Sequence, residues 1–359
     1  MSVIAKIITF KRLGIVNLCQ VFIYRLLIKS GYFVKKLPIK MLNPKNEQLA
    51  FFESTSQHQT RNNDSFLPIK AFGWLVVDTN NLPDWHASVM TGKRVANNQQ
   101  HWSTLNDFDL AVGDIKTVWE LSRLQWTVIF AVNYKKSADA RELQKLNTWL
   151  SDWCFHNPIN QGVNWKCGQE TAIRVMHLAA CHYLVDPQAQ LSKPLAELIY
   201  QHLLRISPTL HYAMAQDNNH GTSEAAALYI GGLLLRSRSE FCHCKQVKNW
   251  QKTGQYWLEN RAAKLIDDDG CFSQNSVNYH RLMLDTLSLT EFFRQQWQQP
   301  EFSKHYYLKV RLCCYWLHNV TEPTSGKAAL LGLNDGAQLL PITTSDYQDY
   351  RPSLQWAFQ

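Results

Sequence analysis

The sequence lacks an apolar run able to span a membrane. Asn17, Gln20 and Arg25 interrupt the stretch from Leu13 to Ile28, which leaves it short of the roughly 20 apolar residues a crossing needs. No small-residue cleavage site follows, so the stretch does not read as a secretory signal either. Leu18, Phe22, Arg25 and Lys29 mix apolar and basic character along it. It is expected to be an amphipathic helix that packs on the rest of the protein or makes weak contact with a membrane surface. There is no CxxC pair among the nine cysteines, and Cys242-His243-Cys244 is too tight for a zinc knuckle. An odd, scattered set reads as reduced structural thiols and leans towards a reducing compartment. Asp267-Asp268-Asp269-Gly270 lacks the spacing of a calcium loop. There is no dense Lys/Arg run and no nucleic-acid fold signature, so the net charge of +8 is not assigned to nucleic acid. An acidic polymer remains open as its partner, and so does plain solubility.

What is present is a large apolar fraction. Hydrophobic residues at 45% and charged residues at 18% exclude a disordered chain. A length of 359 residues allows one or two domains. The 13 Trp, 14 Tyr and 16 Phe suit a core first and sugar stacking second. Residues 41–66 are polar and read as a loop or linker, and Phe72 to Val77 as a short strand. Beyond Ala111, apolar periodicity predicts helices near 112–133, 138–154, 167–184, 193–213, 222–236, 246–265, 279–297 and 304–319. Such a series is all-α: a bundle, a solenoid or an α/α toroid, with no sequence repeat to choose between them.

Two polar segments stand at helix starts. The first is Gln216-Asp217-Asn218-Asn219-His220-Gly221-Thr222-Ser223-Glu224. With Thr222 or Ser223 as cap, Asn219 and His220 would sit where a helix N-terminus favours an anion. His220 and Glu224, four residues apart, could hydrogen-bond. An ordinary Asx-rich cap is the alternative. The second runs from Asp267 to Arg281 and delivers Tyr279 and His280 to the start of a helix; a buried, hydrogen-bonded tyrosine is the alternative there. Trp119, Arg123 and Trp126 would share one helical face, and Asn164-Trp165 with Glu170 and Arg174 repeats the pairing of rings with a guanidinium. Either set cradles an anionic sugar or simply packs.

Seven short stretches occur in order: Pro83-Asp84-Trp85-His86, Thr91-Gly92-Lys93-Arg94, Trp119-Glu120-Leu121-Ser122-Arg123, Gly162-Val163-Asn164-Trp165, Asn218-Asn219-His220, Asn278-Tyr279-His280-Arg281 and Leu333-Asn334-Asp335-Gly336-Ala337. Together they resemble the landmarks of the heparinase II/III family of polysaccharide lyases, in the branch found with surface-polysaccharide gene clusters. The resemblance implies an incomplete α/α toroid over residues 105–359, preceded by a helical extension and linker over 1–104. The family's C-terminal β-sandwich is expected to be missing from this chain. The implied reaction is β-elimination at a uronic acid in an acidic polysaccharide. Asn219 would neutralise the carboxylate, His220 would be the base or orient the sugar, and Tyr279 would be the acid and possibly the base. Arg123, Trp119, Trp165, Glu224 and His280 would bind substrate or support these residues. No cofactor is expected in this chain; the family resemblance allows a metal in the β-sandwich. The resemblance also points to the periplasm, against the cysteine usage. Two other readings remain: a non-catalytic polysaccharide-binding or assembly protein, and an inverting glycoside hydrolase. The hydrolase needs two carboxylates roughly 6.5–9.5 Å apart, and no such pair stands out.

Overall fold

The computed structural model describes residues 3–54, 66–106, 112–333 and 338–359, with side chains from residue 14 onward. Its helices are α1 (Val3–Lys29), α2 (Tyr32–Lys36), α3 (Lys116–Ser122), α4 (Gln125–Ser137), α5 (Ala140–His156), α6 (Gly168–Val185), α7 (Lys193–Ile206), α8 (Leu210–Ala215), α9 (Asn219–Arg236), α10 (Ser239–Cys242), α11 (Lys245–Leu265), α12 (Val277–Gln296), α13 (Lys304–Val320) and α14 (Arg351–Ala357). Among the described residues, regular sheet is confined to one antiparallel pair, β1 (Lys70–Ala71) and β2 (Leu75–Val76). The strand expected over 72–77 is therefore a tight hairpin. It is turned by Phe72 and Gly73, both at positive φ.

The helices from α4 onward form two layers. α4, α6, α9 and α12 pack side by side, each inner helix on the next. α5, α7, α11 and α13 lie outside them, each paired with the inner helix that precedes it. Composition explains the split. Nearly every residue of α9 from Gly221 to Leu235 is buried, and apolar and small residues surround its axis. α7 buries Leu195, Leu198, Ile199, Leu203 and Ile206 and leaves Lys193, Glu197, Tyr200 and Leu204 exposed or partly exposed on its other side. A helix that is apolar all round belongs inside, and an amphipathic one outside. Four such hairpins in an arc make the all-α, incomplete toroid.

Small residues set the inner spacing. A Cβ on Gly254 of α11 would lie 2.6 Å from the Ala225 carbonyl oxygen, and one on Gly232 would lie 3.1 Å from the Gln251 backbone nitrogen. The α9–α11 contact therefore brings each backbone close to the other.

The expected helix over 112–133 is broken. α3 ends at Ser122, and Leu124 adopts a left-handed conformation (φ 65°) before α4 begins. Trp126 is thereby removed from the face of Trp119 and Arg123 and enters the core. The expected helix over 193–213 also breaks: α7 ends before Pro208, and a 3-10 turn leads into α8.

Residues before α3 are packed onto the hairpins and share their core. Phe51 and Phe52 donate backbone N–H bonds to the Asn147 side chain of α5, and Leu67 donates to Asn133 of α4. Two of the early landmarks serve this junction. The Trp85 indole donates to Asp152 at 2.6 Å, and the Asn164 amide donates to the Trp85 carbonyl. The chain's end returns as well, placing the Leu339 carbonyl against the His177 ring of α6.

Candidate active site

The inner helices α9 and α12 begin with the same local device. A polar residue in the left-handed region (Asp217, φ 48°; Asn275, φ 50°) turns the chain. A capping side chain follows: Asn218 accepts from the His220 N–H, and Ser276 accepts from the Tyr279 N–H. Asp and Asn tolerate that conformation better than most residues, and Asn and Ser are strong N-caps. The cap of α9 is Asn218, not Thr222 or Ser223, so Asn219 and His220 form the first turn of the helix.

The two loops meet. The Asn219 backbone N–H donates to the Gln274 side chain at 2.9 Å, and the Ser273 hydroxyl reaches the Asp217 carbonyl at 3.4 Å. Asp217 is held in turn by Arg261 at 2.9 Å, Lys264 at 2.8 Å and the Asn17 amide of α1 at 2.8 Å. The segments carrying Asn219–His220 and Tyr279 thus share one rim. Tyr279 lies half-buried one turn into this junction.

The donors available for an anion differ from those the helix end suggested. The N–H groups of Asn219 and His220 are already taken by Gln274 and Asn218. What remains is the Asn219 side chain, 2% exposed, whose Nδ2 is buried without a hydrogen-bond partner. A buried amide donor left unmade costs free energy, and an arriving acceptor would recover it.

His220 is half-buried. Burial pushes its pKa down to about 4, with Glu170 pulling the other way, so the imidazole is neutral at neutral pH. Glu224 makes no bond to His220. Its carboxylate lies against the start of α6, where Gly168 makes room: a Cβ there would sit 2.3 Å from Oε1. Burial pushes the Glu224 carboxyl up to about 8 although Arg205 acts against it, and its Oε2 has no partner.

The remaining candidates form the wall. Arg123 is buried and clamped by Glu170 through Nε at 2.7 Å and by Glu120 through an Nη at 2.6 Å. It holds Glu170, whose charge acts on His220, and each of its three nitrogens is bonded to Glu170 or Glu120. Trp165 is fully buried, with the Arg174 guanidinium 5.2 Å from its ring and His202 at 4.6 Å. His280 is also interior, stacked on Trp316 at 4.5 Å and bonded to the Cys313 carbonyl. As direct substrate contacts, Arg123, Trp165 and His280 are corrected by their partners: carboxylates hold the guanidinium, and Trp165 and His280 are packed against Arg174, His202 and Trp316, whereas the equally buried Asn219 amide has none. Trp119 is half-buried and its indole donates to the Val163 carbonyl.

Two residues that bear on the site had no role assigned from sequence. Gln274 was one polar residue in a polar loop, and only the folded contact singles it out. Glu170 stands four residues before Arg174 and was paired with it, whereas its ion-pair partner is Arg123, 47 positions earlier. Asn334 to Ala337 of the last landmark lie outside the described residues. Among the described residues, no group of three or more His, Cys, Asp or Glu is placed to hold a metal ion.

A solved structure described as "Crystal Structure of Heparinase III" is similar at 18% identity and a TM-score of 0.44, over 59% of this chain and 32% of that chain. This chain therefore spans about a third of the length of that one. No curated protein matches the sequence. The family described as Heparinase II/III N-terminus matches residues 75–351, which include every candidate residue named above. The chain belongs to the heparinase II/III family, over its N-terminal, helical portion.

Proposed function

We propose that the protein is a polysaccharide lyase that cleaves a uronic-acid polymer by β-elimination at the rim where α9 and α12 begin. The observation that carries this reading is the buried, unpartnered Asn219 amide beside a neutral His220. A uronate C5 proton becomes removable only when the adjacent carboxylate is neutralised. The Asn219 Nδ2 supplies a donor for that carboxylate, and the positive end of α9 adds to it. His220, uncharged, has a lone pair to take the C5 proton, and the bound carboxylate favours its protonated form. The electron pair left on C5 forms the C4–C5 double bond as the C4–O4 bond breaks. Tyr279 gives its hydroxyl proton to the departing O4. The charge of Glu170, fixed by Arg123, favours the imidazolium.

The test is a panel of uronate polymers: heparin-like, alginate-like and mixed exopolysaccharides. Elimination creates a conjugated double bond, so ultraviolet absorbance should rise with one or more of them. New reducing ends without absorbance would mean hydrolysis. Tight binding with neither signal would mean a binding or assembly protein. Either result rejects the lyase reading.

A further inference from the structure

α1 is anchored on one side only. Tyr24 stacks on Tyr212 of the α8 segment at 3.9 Å, and Leu27 and Ile28 pack on the core. Ile15, Val16, Phe22, Ile23 and Leu26 point the other way and are 49–78% exposed. Their positions fall one, seven, eight and eleven residues after Ile15, so they form a continuous apolar stripe along one helical face. Isolated exposed apolar residues are ordinary, but an aligned row needs a partner.

Charge identifies the partner. Residues 1–46 contain nine Lys or Arg and no Asp or Glu, while the remaining chain holds 28 basic and 29 acidic residues. The whole positive balance of the protein therefore belongs to the segment that carries the stripe. Arg25 and Lys29 of α1, with Lys35 and Lys36 of α2, are exposed beside it. No helix among the described residues is long and apolar enough to cross a membrane.

We infer that the outer face of α1 docks on an anionic lipid surface, lying in the interface with its aliphatic stripe at the acyl boundary and its cations among phosphate headgroups. Both features are satisfied at once by that occupant. A polysaccharide would take the charge and leave Ile15, Val16 and Leu26 wet. A second copy would cover the stripe but oppose two strongly positive faces. α1 also touches the rim of the candidate site through Asn17 and Asp217. Adsorption would hold that rim at a fixed attitude to the surface, whatever reaction the site performs.

The experiment is co-sedimentation of the full chain with phosphatidylcholine vesicles, with and without added phosphatidylglycerol. The protein should pellet with the anionic vesicles and remain in solution with the neutral ones, and added salt should release it. Combined Phe22→Ser, Ile23→Ser and Leu26→Ser should lower the bound-to-free ratio at least about tenfold, because three apolar side chains leave the acyl boundary. Arg25→Glu with Lys29→Glu should do the same through charge, and tests the inference separately if the triple variant does not fold. Protein left in solution with anionic vesicles would overturn it. So would full binding by both variants, or a dimer of the chain that the triple variant abolishes while vesicles bind neither form.

Discussion

Glu224 is a buried carboxylate at this site whose Oε2 has no partner. Its carboxyl is buried, raised to about 8, and only partly offset by Arg205. A raised carboxyl binds its proton more tightly in the folded chain than in the unfolded one. Its contribution is fully present below the ordinary carboxylate range and is lost as pH rises towards 8. Glu224→Gln keeps the shape and removes the titration. The variant should match the parent near pH 4–5 and exceed it by a few kcal/mol near pH 8. Urea unfolding across that range checks this, and a difference that does not grow with pH would contradict the burial argument. Two histidines, His177 in the core and the half-buried His220, act in the opposite sense. His177 and His220 are pushed down to about 4 by burial. The stability held in their neutral forms is present above their ordinary range and is lost as pH falls towards 4.

At the scale of elements, Gly254 sets how closely α11 approaches α9. Its Cβ would meet backbone atoms, which cannot move aside as a flexible side chain can. Gly254→Ala should therefore destabilise the protein by about 1–3 kcal/mol, despite alanine's better helix propensity. Lys252→Ala, on the exposed side of the same helix, should stay within about 0.5 kcal/mol. Thermal or urea unfolding of the pair decides, and equal stability would show that α11 has room to shift. These elements also show how far sequence carried. The long helices were legible because apolar periodicity survives in each. The break at Leu124 was not, because leucine in a left-handed turn has no local signature. The split after α7 was signalled by Pro208 but reads equally as a kink. The landmark residues Asn219, His220 and Tyr279 could be named from their motifs. The loops that carry them meet where Gln274 accepts from the Asn219 N–H across 55 positions, and no spacing rule encodes that. That Trp165 enters the core is not legible for a related reason: an aromatic ring near a guanidinium looks the same in sequence whether the pair lines a cleft or fills a core.

At the scale of the molecule, two features are set against each other. The hairpin arc is nearly neutral, while the segment through α2 carries the positive charge. The rim of α9 and α12 joins them through Asp217, which holds Arg261 and Lys264 of α11 and Asn17 of α1. Substitution there should loosen α1 and the rim together. Asp217→Asn should make both segments more sensitive to limited proteolysis, and protection unchanged in either would show that they are independent. The proposed elimination requires acid, base and carboxylate partner on one sugar ring, which places the central claim on Tyr279. The most direct test is the rate of ultraviolet-absorbing product formation by the protein and by its Tyr279→Phe variant, on whichever uronate polymer is cleaved. Only the hydroxyl is removed, so turnover should fall by at least about a hundredfold with KM nearly unchanged. A Phe variant that turns over at the parent rate would contradict the account.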